Sequence, residues 1–415
     1  MSAHGDGPLA GLRVIEMAGI GPGPFAAMLL ADLGADVIRV DRPAGAESTA
    51  MTTLVNRGKR SVILDLKHAA AVEAALTLIT SADVLIEVYR PGVAERLGVG
   101  PEDCWARNPR LVYGRMTGWG QSGPLAHAAG HDIGYIALTG ALHAIGERGG
   151  PPQIPVNLLG DFGGGATYLV IGILAALREA DRTGRGQVVD AAIVDGTAHL
   201  LTAVHAALAD GSWTDERGVN RLDGGFPFYS VYATADGKYM AVGALEPKFY
   251  AELLRLLGLG EDPARQHDRE RWPELRERLA AAFATRTQAE WTQVFDGSDA
   301  CVAPVLSLRE APLHPHIASR GTLAEVGGVL QAAPAPRLSG AQPGPPPRVP
   351  GAAPKPGEHT REVLTAAGVT DVDLLIDHGA AVQLLSPEPE AGQVLRRIWA
   401  LGLEGKLEWR RTTFC

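Results

Sequence analysis

The sequence predicts an α/β protein in two parts: a large domain on a parallel sheet with helices on both faces, then a smaller α+β domain. Two observations carry this. Short runs rich in Val, Ile and Leu alternate with helical segments through the first 120 or so positions, the pattern of parallel strands joined by crossover helices. After about residue 210 the pattern changes to a hairpin followed by amphipathic helices. A hydrophobic fraction of 46% in 415 residues allows both parts a buried core.

Taken in order, residues 12–17 read as a buried strand, 19–24 as a turn, 25–33 as a helix closed by Gly34, and 35–40 as a second strand. The unit repeats with a strand at 61–66, a helix at 69–81 and a strand at 84–87, and another strand follows at 111–116. Together these make the large domain doubly wound and Rossmann-like. Helices are expected at 136–144, 163–180 and 191–209, with a strand at 187–189. Residues 227–232 and 238–242 read as a hairpin around Asp236-Gly237, a pair that tolerates positive φ. Amphipathic helices follow at 248–256, 272–284 and 288–296.

The large domain is therefore placed at 1–209, completed by about 357–385, and the small domain at 226–320, with linkers at 210–225 and 321–356. Nine prolines between 334 and 356 predict an extended connection there. A last helix is expected at 360–368, and 386–415 reads as an extension whose Trp399 and Trp409 lie on an Arg-rich helical pattern that would dock on the domain.

A formal charge of −9 argues against nucleic acid as a partner, since phosphate neutralisation would gain little. Cys104, Cys301 and Cys415 are far apart and form no C-x-x-C, so neither a disulfide framework nor a metal site is expected, and a reducing cytoplasm fits. The N-terminus has no basic segment ahead of an apolar run and does not read as a signal peptide. The longest apolar stretch, 163–177, has 15 residues and three consecutive glycines. About 20 are needed to span a bilayer, so no membrane segment is expected.

Gly19-x-Gly21-x-Gly23 follows a strand and opens a helix, as in a dinucleotide fingerprint. The spacing fails, because Pro24 stands where the third glycine belongs, and two prolines remove N–H donors from the helix entry. Basic residues recur beside the predicted strand ends: Arg39, Arg42, Arg57, Lys59, Arg60, Lys67, Arg90 and Arg96. The carboxyl ends of parallel strands line the ligand crevice, so a polyphosphate would fit there. Further on, Gly130-His131-Asp132-Ile133-Gly134-Tyr135 sets a His between glycine-bearing turns. Asn157 and Asp161 stand at i and i+4 entering a glycine-rich helix start, on one face if helical. Glu246 ends a hairpin strand ahead of Pro247. Taken singly, each has a plain structural reading: a packed His, and acids that favour helix N-termini.

Taken together these segments are specific. The chain resembles the family III CoA transferases, the CaiB/BaiF superfamily, and within them the α-methylacyl-CoA racemase branch, to about residue 380. The resemblance is carried by the segments from Gly19 to Pro43, Asn56 to Lys67, Gly130 to Ile133, Gly184 to Asp190 and Gly243 to Pro247. It implies an interlocked homodimer with active sites between the large domain of one chain and the small domain of the other. It also implies an acyl-CoA substrate from fatty acid metabolism and no cofactor beyond the CoA moiety. By resemblance, Arg42, Leu64, Asp65, Leu66, Lys67, Val88, Tyr89, Arg90, Arg96, Gly130, Asp132, Ile133, Gly134 and Tyr135 hold the CoA portion. His131 and Asp161 would be the acid/base pair, with Glu246 orienting His131 and Asn157 beside Asp161.

Racemisation next to a thioester carbonyl needs such a pair: a base removes the α-proton on one face and an acid returns one on the other. Free His and Asp titrate near 6.5 and 3.9, so an ionised Asp facing a protonated His suits neutral pH. The enolate oxygen also needs donors, for which backbone N–H groups near Asp132 or at the Gly163 helix start are candidates. The alternatives are CoA transfer with Asp161 as the nucleophile, and an acyl-CoA-binding homologue that has lost turnover. His131 and Glu246 speak against both. Three positions depart from the racemase pattern: Gly134 stands in place of Asn, Val88 in place of Gly, and Ser230 in place of Asp.

Overall fold

The structure, a computed structural model, describes residues 7–43, 54–339 and 349–384. Six strands are parallel: β1 (Arg13–Met17), β2 (Asp36–Asp41), β3 (Arg60–Leu64), β4 (Val84–Glu87), β5 (Val112–Thr117) and β6 (Val188–Ala192). They lie in the order β3-β2-β1-β4-β5-β6, and the short strand Ala381–Val382 pairs antiparallel with β3 at the edge. This is the doubly wound arrangement expected from the sequence, and its strand order reverses between β1 and β4.

Strands β1 to β5 are buried on both faces, which is why they read as near-continuous apolar runs rather than alternating ones, whereas the edge strand β6 is exposed at Val188 and Asp190. Ile15, Met17, Ile38, Val40, Leu64 and Leu85 face a core built with helices Ala69–Thr80, Thr360–Ala366 and Val372–Asp377. Val14, Val37, Val84, Ile86 and Val112 face the other core, under helices α1 (Pro22–Asp32) and Thr167–Thr183. Beneath α1 the Lys59 ammonium is fully buried and donates to Glu16 (2.6 Å), the Pro24 carbonyl (3.0 Å) and Asn56 (3.0 Å).

Three helical expectations are corrected. The helix expected at 136–144 is Asp132–Leu138: it starts on an acid in its first turn and stops at Gly140, whose φ of 84° ends a helix. The helix expected from residue 163 starts five residues earlier, as a π-helix over Leu158–Ala166 that continues as Thr167–Thr183. That run of 26 residues is long and apolar enough by composition to cross a membrane. Its Leu169, Ile173, Ala176 and Ala180 are buried on the sheet, while Ile171 and Leu174 stay exposed. The segment expected as one helix at 191–209 begins instead with the end of β6, which pairs with β5 through Met116 and Ala191, and then forms Ile193–Leu200 and Thr202–Ala209.

Residues 226–320 hold a three-stranded antiparallel sheet, β7 (Tyr229–Ala233), β8 (Tyr239–Gly243) and β9 (Val302–Pro304). Gly237 makes the β7–β8 turn with φ 73°. Helices Pro247–Leu257, Trp272–Phe283 and Gln288–Phe295 cover the sheet around Phe228, Tyr250, Phe283 and Trp291. The expected linker at 321–356 contains a hairpin, Leu323–Val326 with Val329–Ala332, turned by Gly327 and Gly328, both at positive φ. Two consecutive positive-φ residues are what a two-residue hairpin turn of type I′ requires. The expected extension at 386–415 lies outside the described residues.

Candidate active site

Where strand order reverses, the loops after neighbouring strands diverge and leave a crevice. Here the crevice opens between the β1–α1 turn and the segment after β4, as a cavity of about 380 Å³. Ile20, Gly21 and Pro22 line one side, Val88, Tyr89 and Arg90 another, and His131, Asp132, Tyr135 and Asp161 the remainder. The β1–α1 turn depends on Gly21, whose φ of 71° lies in the left-handed region that disfavours a side chain.

His131 sits at the N-cap of Asp132–Leu138, in extended backbone. Asp161 lies in the π-helix, a rare element that clusters at functional sites. Glycines make that placement possible. A Cβ on Gly164 would come within 2.7 Å of the Thr197 backbone nitrogen, and one on Gly196 within 1.9 Å of the Gly164 carbonyl oxygen. The two helices therefore cross at backbone contact.

Asp132 ties the start of its own helix to the π-helix. Its carboxylate is buried, and Oδ2 accepts the Asp161 N–H at 2.6 Å. Gly160 must be glycine for this approach, since a Cβ there would meet Oδ2 at 2.3 Å. Asp132 Oδ1 is buried without a partner. Asn157 donates to Asp161 Oδ2 at 3.2 Å, and it follows Val156, a β-branched residue held at φ 59°. Such a conformation is strained for Val and is kept only where the surroundings impose it. Burial pushes the Asp161 carboxyl above the usual range; Asn157 and His131 pull it down and the Asp132 charge pushes it up. A carboxyl moved toward neutrality is suited to exchanging protons at working pH.

Of the residues singled out from the sequence, Val88, Tyr89, Arg90, Gly130, His131, Asp132, Tyr135 and Asp161 line this one cavity, with Asn157 on Asp161. Arg42, Lys67, Arg90 and Arg96 are exposed beyond the carboxyl ends of β2, β3 and β4, and none forms an ion pair with another described residue. Asp65 and Leu66 are half-buried just past β3, whereas the Leu64 side chain belongs to the core, leaving only its main chain to meet a ligand. Ile133 is exposed, and the Cα of Gly134 faces open space.

Glu246 sits at the N-cap of Pro247–Leu257, with no hydrogen bond or ion pair to His131 within the chain. Four basic residues expected near the crevice are tied up elsewhere: Arg39 with Asp41, Arg57 with Asp32, Lys59 with Glu16 and Arg60 with Asp36. Gly163 is inside the π-helix rather than at its start, so of the two enolate donors considered only the first turn at Asp132 keeps free N–H groups.

Sequence reasoning missed Glu87. It is buried at the end of β4, accepts the Tyr89 N–H at 2.6 Å and lies 3.6 Å from Arg115. Burial pushes its carboxyl up to about 7, against the Tyr89 N–H and Arg115, which lower it. An acid closing an otherwise apolar strand was the available signal.

A histidine and a carboxyl raised by burial on one cavity, at the switch point of a doubly wound sheet and edged by cations with no ion-pair partner among the described residues, fit an enzyme site. The chain belongs to CoA-transferase family III, whose model matches residues 9–360. It is 48% identical over 372 residues to the α-methylacyl-CoA racemase of Mus musculus, covering 89% of this chain and 96% of that one. With the α-methylacyl-CoA racemase of Homo sapiens it is 45% identical, covering 87% and 93%. An acetyl-CoA:oxalate CoA-transferase of Acetobacter aceti is 34% identical, covering 80% and 90%. Among solved structures, a CaiB/BaiF family protein from Brucella suis superposes with a TM-score of 0.73 at 28% identity, covering 88% of this chain and all of that one.

Proposed function

We propose that the protein inverts the α-carbon of 2-methylacyl-CoA thioesters by two-base proton transfer, with His131 and Asp161 as the pair. The observation that carries this is their placement on one cavity, with Asp161 held by Asn157 and Asp132 and its carboxyl raised by burial. In one direction the Asp161 carboxylate takes the α-proton, charge moves onto the thioester oxygen, and the His131 imidazolium returns a proton to the opposite face of the carbon. The reverse direction exchanges the roles. The Asp132 N–H, in the first turn of its helix, would donate to the enolate oxygen. Each proton-transfer group contributes about 10²–10⁴-fold.

Arg42, Lys67, Arg90 and Arg96 supply positive charge for the phosphates of CoA at the carboxyl edge of the sheet. The working form is a homodimer. Leu158, Ile171 and Leu174 along the one long helical run are exposed, an apolar surface that a partner chain would cover. Glu246, which makes no hydrogen bond or ion pair to His131 within the chain, would reach it from the partner.

The test incubates the protein with one enantiomer of a 2-methylacyl-CoA in D₂O. Loss of chirality with deuterium entering the α-position is the expected result. Retained chirality, with CoA appearing on an added carboxylate, would replace racemisation by transfer through Asp161. His131→Ala should abolish racemisation while leaving the circular dichroism spectrum unchanged.

A further inference from the structure

We propose that Val88 fixes how large a group the cavity admits beside Asp161, and so restricts the substrate to a methyl-sized branch at the reacting carbon. This rests on the racemase reading above and specifies the acyl group taken by the same site.

Val88 is the first residue past β4, half-buried, at the switch point of the sheet, and it lines the cavity. Its two methyl groups fill notches left by two glycines of the facing turn. A Cβ on Gly19 would come within 2.0 Å of Val88 Cγ2, and one on Gly23 within 2.2 Å of Cγ1. Midway between them is Gly21, where a Cβ would lie 3.5 Å from Asp161 Oδ2. One five-residue turn therefore carries the Val88 isopropyl group on its flanks and the Asp161 carboxylate at its centre.

Val has few χ1 options, and here both methyls are held by backbone, so the side chain cannot rotate aside for a bulkier ligand. Shortening it would open the notches of Gly19 and Gly23 to the cavity directly beside the base. An apolar wall of this kind discriminates by about 10–200-fold per methylene.

The test uses S-alkyl-CoA thioethers, which lack the carbonyl and cannot lose an α-proton, carrying a methyl or an ethyl branch at the equivalent carbon. Calorimetric affinities are measured for the wild type, Val88→Ala, Val88→Gly and Val88→Ile. The ethyl-to-methyl affinity ratio should rise about tenfold in the Ala and Gly variants and fall in the Ile variant. A ratio that stays within twofold across Val88→Ala and Val88→Ile, with thermal melts showing folded protein, overturns the proposal. Because these ligands do not react, that outcome is separate from α-proton exchange of a 2-methylacyl-CoA in D₂O, whose absence would count against the racemase reading alone.

Discussion

Asp132 lies between the two proposed bases in a way that lets its charge and its hydrogen bond be separated. Oδ2 fixes the Asp161 main chain, while the negative charge holds the Asp161 carboxyl up. Asp132→Asn keeps an acceptor for the N–H and removes the charge, so the Asp161 carboxyl should titrate lower. The acid limb of kcat/KM against pH should move to lower pH, with kcat falling about tenfold to a hundredfold as the carboxylate becomes a weaker base in a looser loop. An unmoved acid limb would show that the Asp132 charge does not act on Asp161. Glu87 gives a second residue-scale prediction. Its carboxyl binds a proton up to about pH 7 in the fold, against 4.5 as its ordinary value. Between those values the folded state holds the extra proton, so stability must fall as pH rises from about 5 to about 7.5, by up to about 3 kcal/mol for this group. Glu87→Gln still accepts the Tyr89 N–H and should flatten that slope in urea titrations at the two pH values.

At the scale of elements, the ion pair beneath α1 is buried and fully bonded at its cation. Lys59 is fully buried and spends its three donors on Glu16, Asn56 and the Pro24 carbonyl. Lys59→Met should destabilise the fold by about 3–5 kcal/mol, because Glu16 would be left charged in the core; adding Glu16→Gln should recover part of the loss in thermal or urea melts. The elements also show what the sequence reveals. β1 to β5 were legible because strands buried on both faces leave unbroken apolar runs, as in Val84-Leu85-Ile86. The π-helix was not legible, since Leu158 to Ala166 has a helical composition and only the packing of Gly164 on Thr197 distinguishes its register. The Leu323–Val326 hairpin was legible in principle from Gly327-Gly328, but the prolines that follow it suggested a linker. Asp161, Asn157 and His131 were found through motif resemblance. The Asp132 clamp was not, because a hydrogen bond across 29 residues leaves no local pattern.

For the whole molecule the question is where Glu246 acts. Within one chain it makes no hydrogen bond or ion pair to His131, whereas a dimer that exchanges small domains would complete each site from two chains. Sedimentation at micromolar concentration should show a dimer. Mixing inactive His131→Ala and Glu246→Ala chains under reversible dissociation should restore activity to about a quarter of the wild-type level, since half of the dimers are mixed and each of those has one intact site. No recovery would place Glu246 in its own chain's site or outside the mechanism.

The buried ammonium under α1 also makes the fold report on its own opening. Of six lysines, Lys67, Lys238, Lys248 and Lys355 are exposed, while Lys59 is sealed beneath the sheet's helix. An amine-reactive reagent should mark those four within minutes and reach Lys59 only when the large domain opens as a unit. The slow appearance of a mass tag on the peptide carrying Lys59 would then time global unfolding under native conditions.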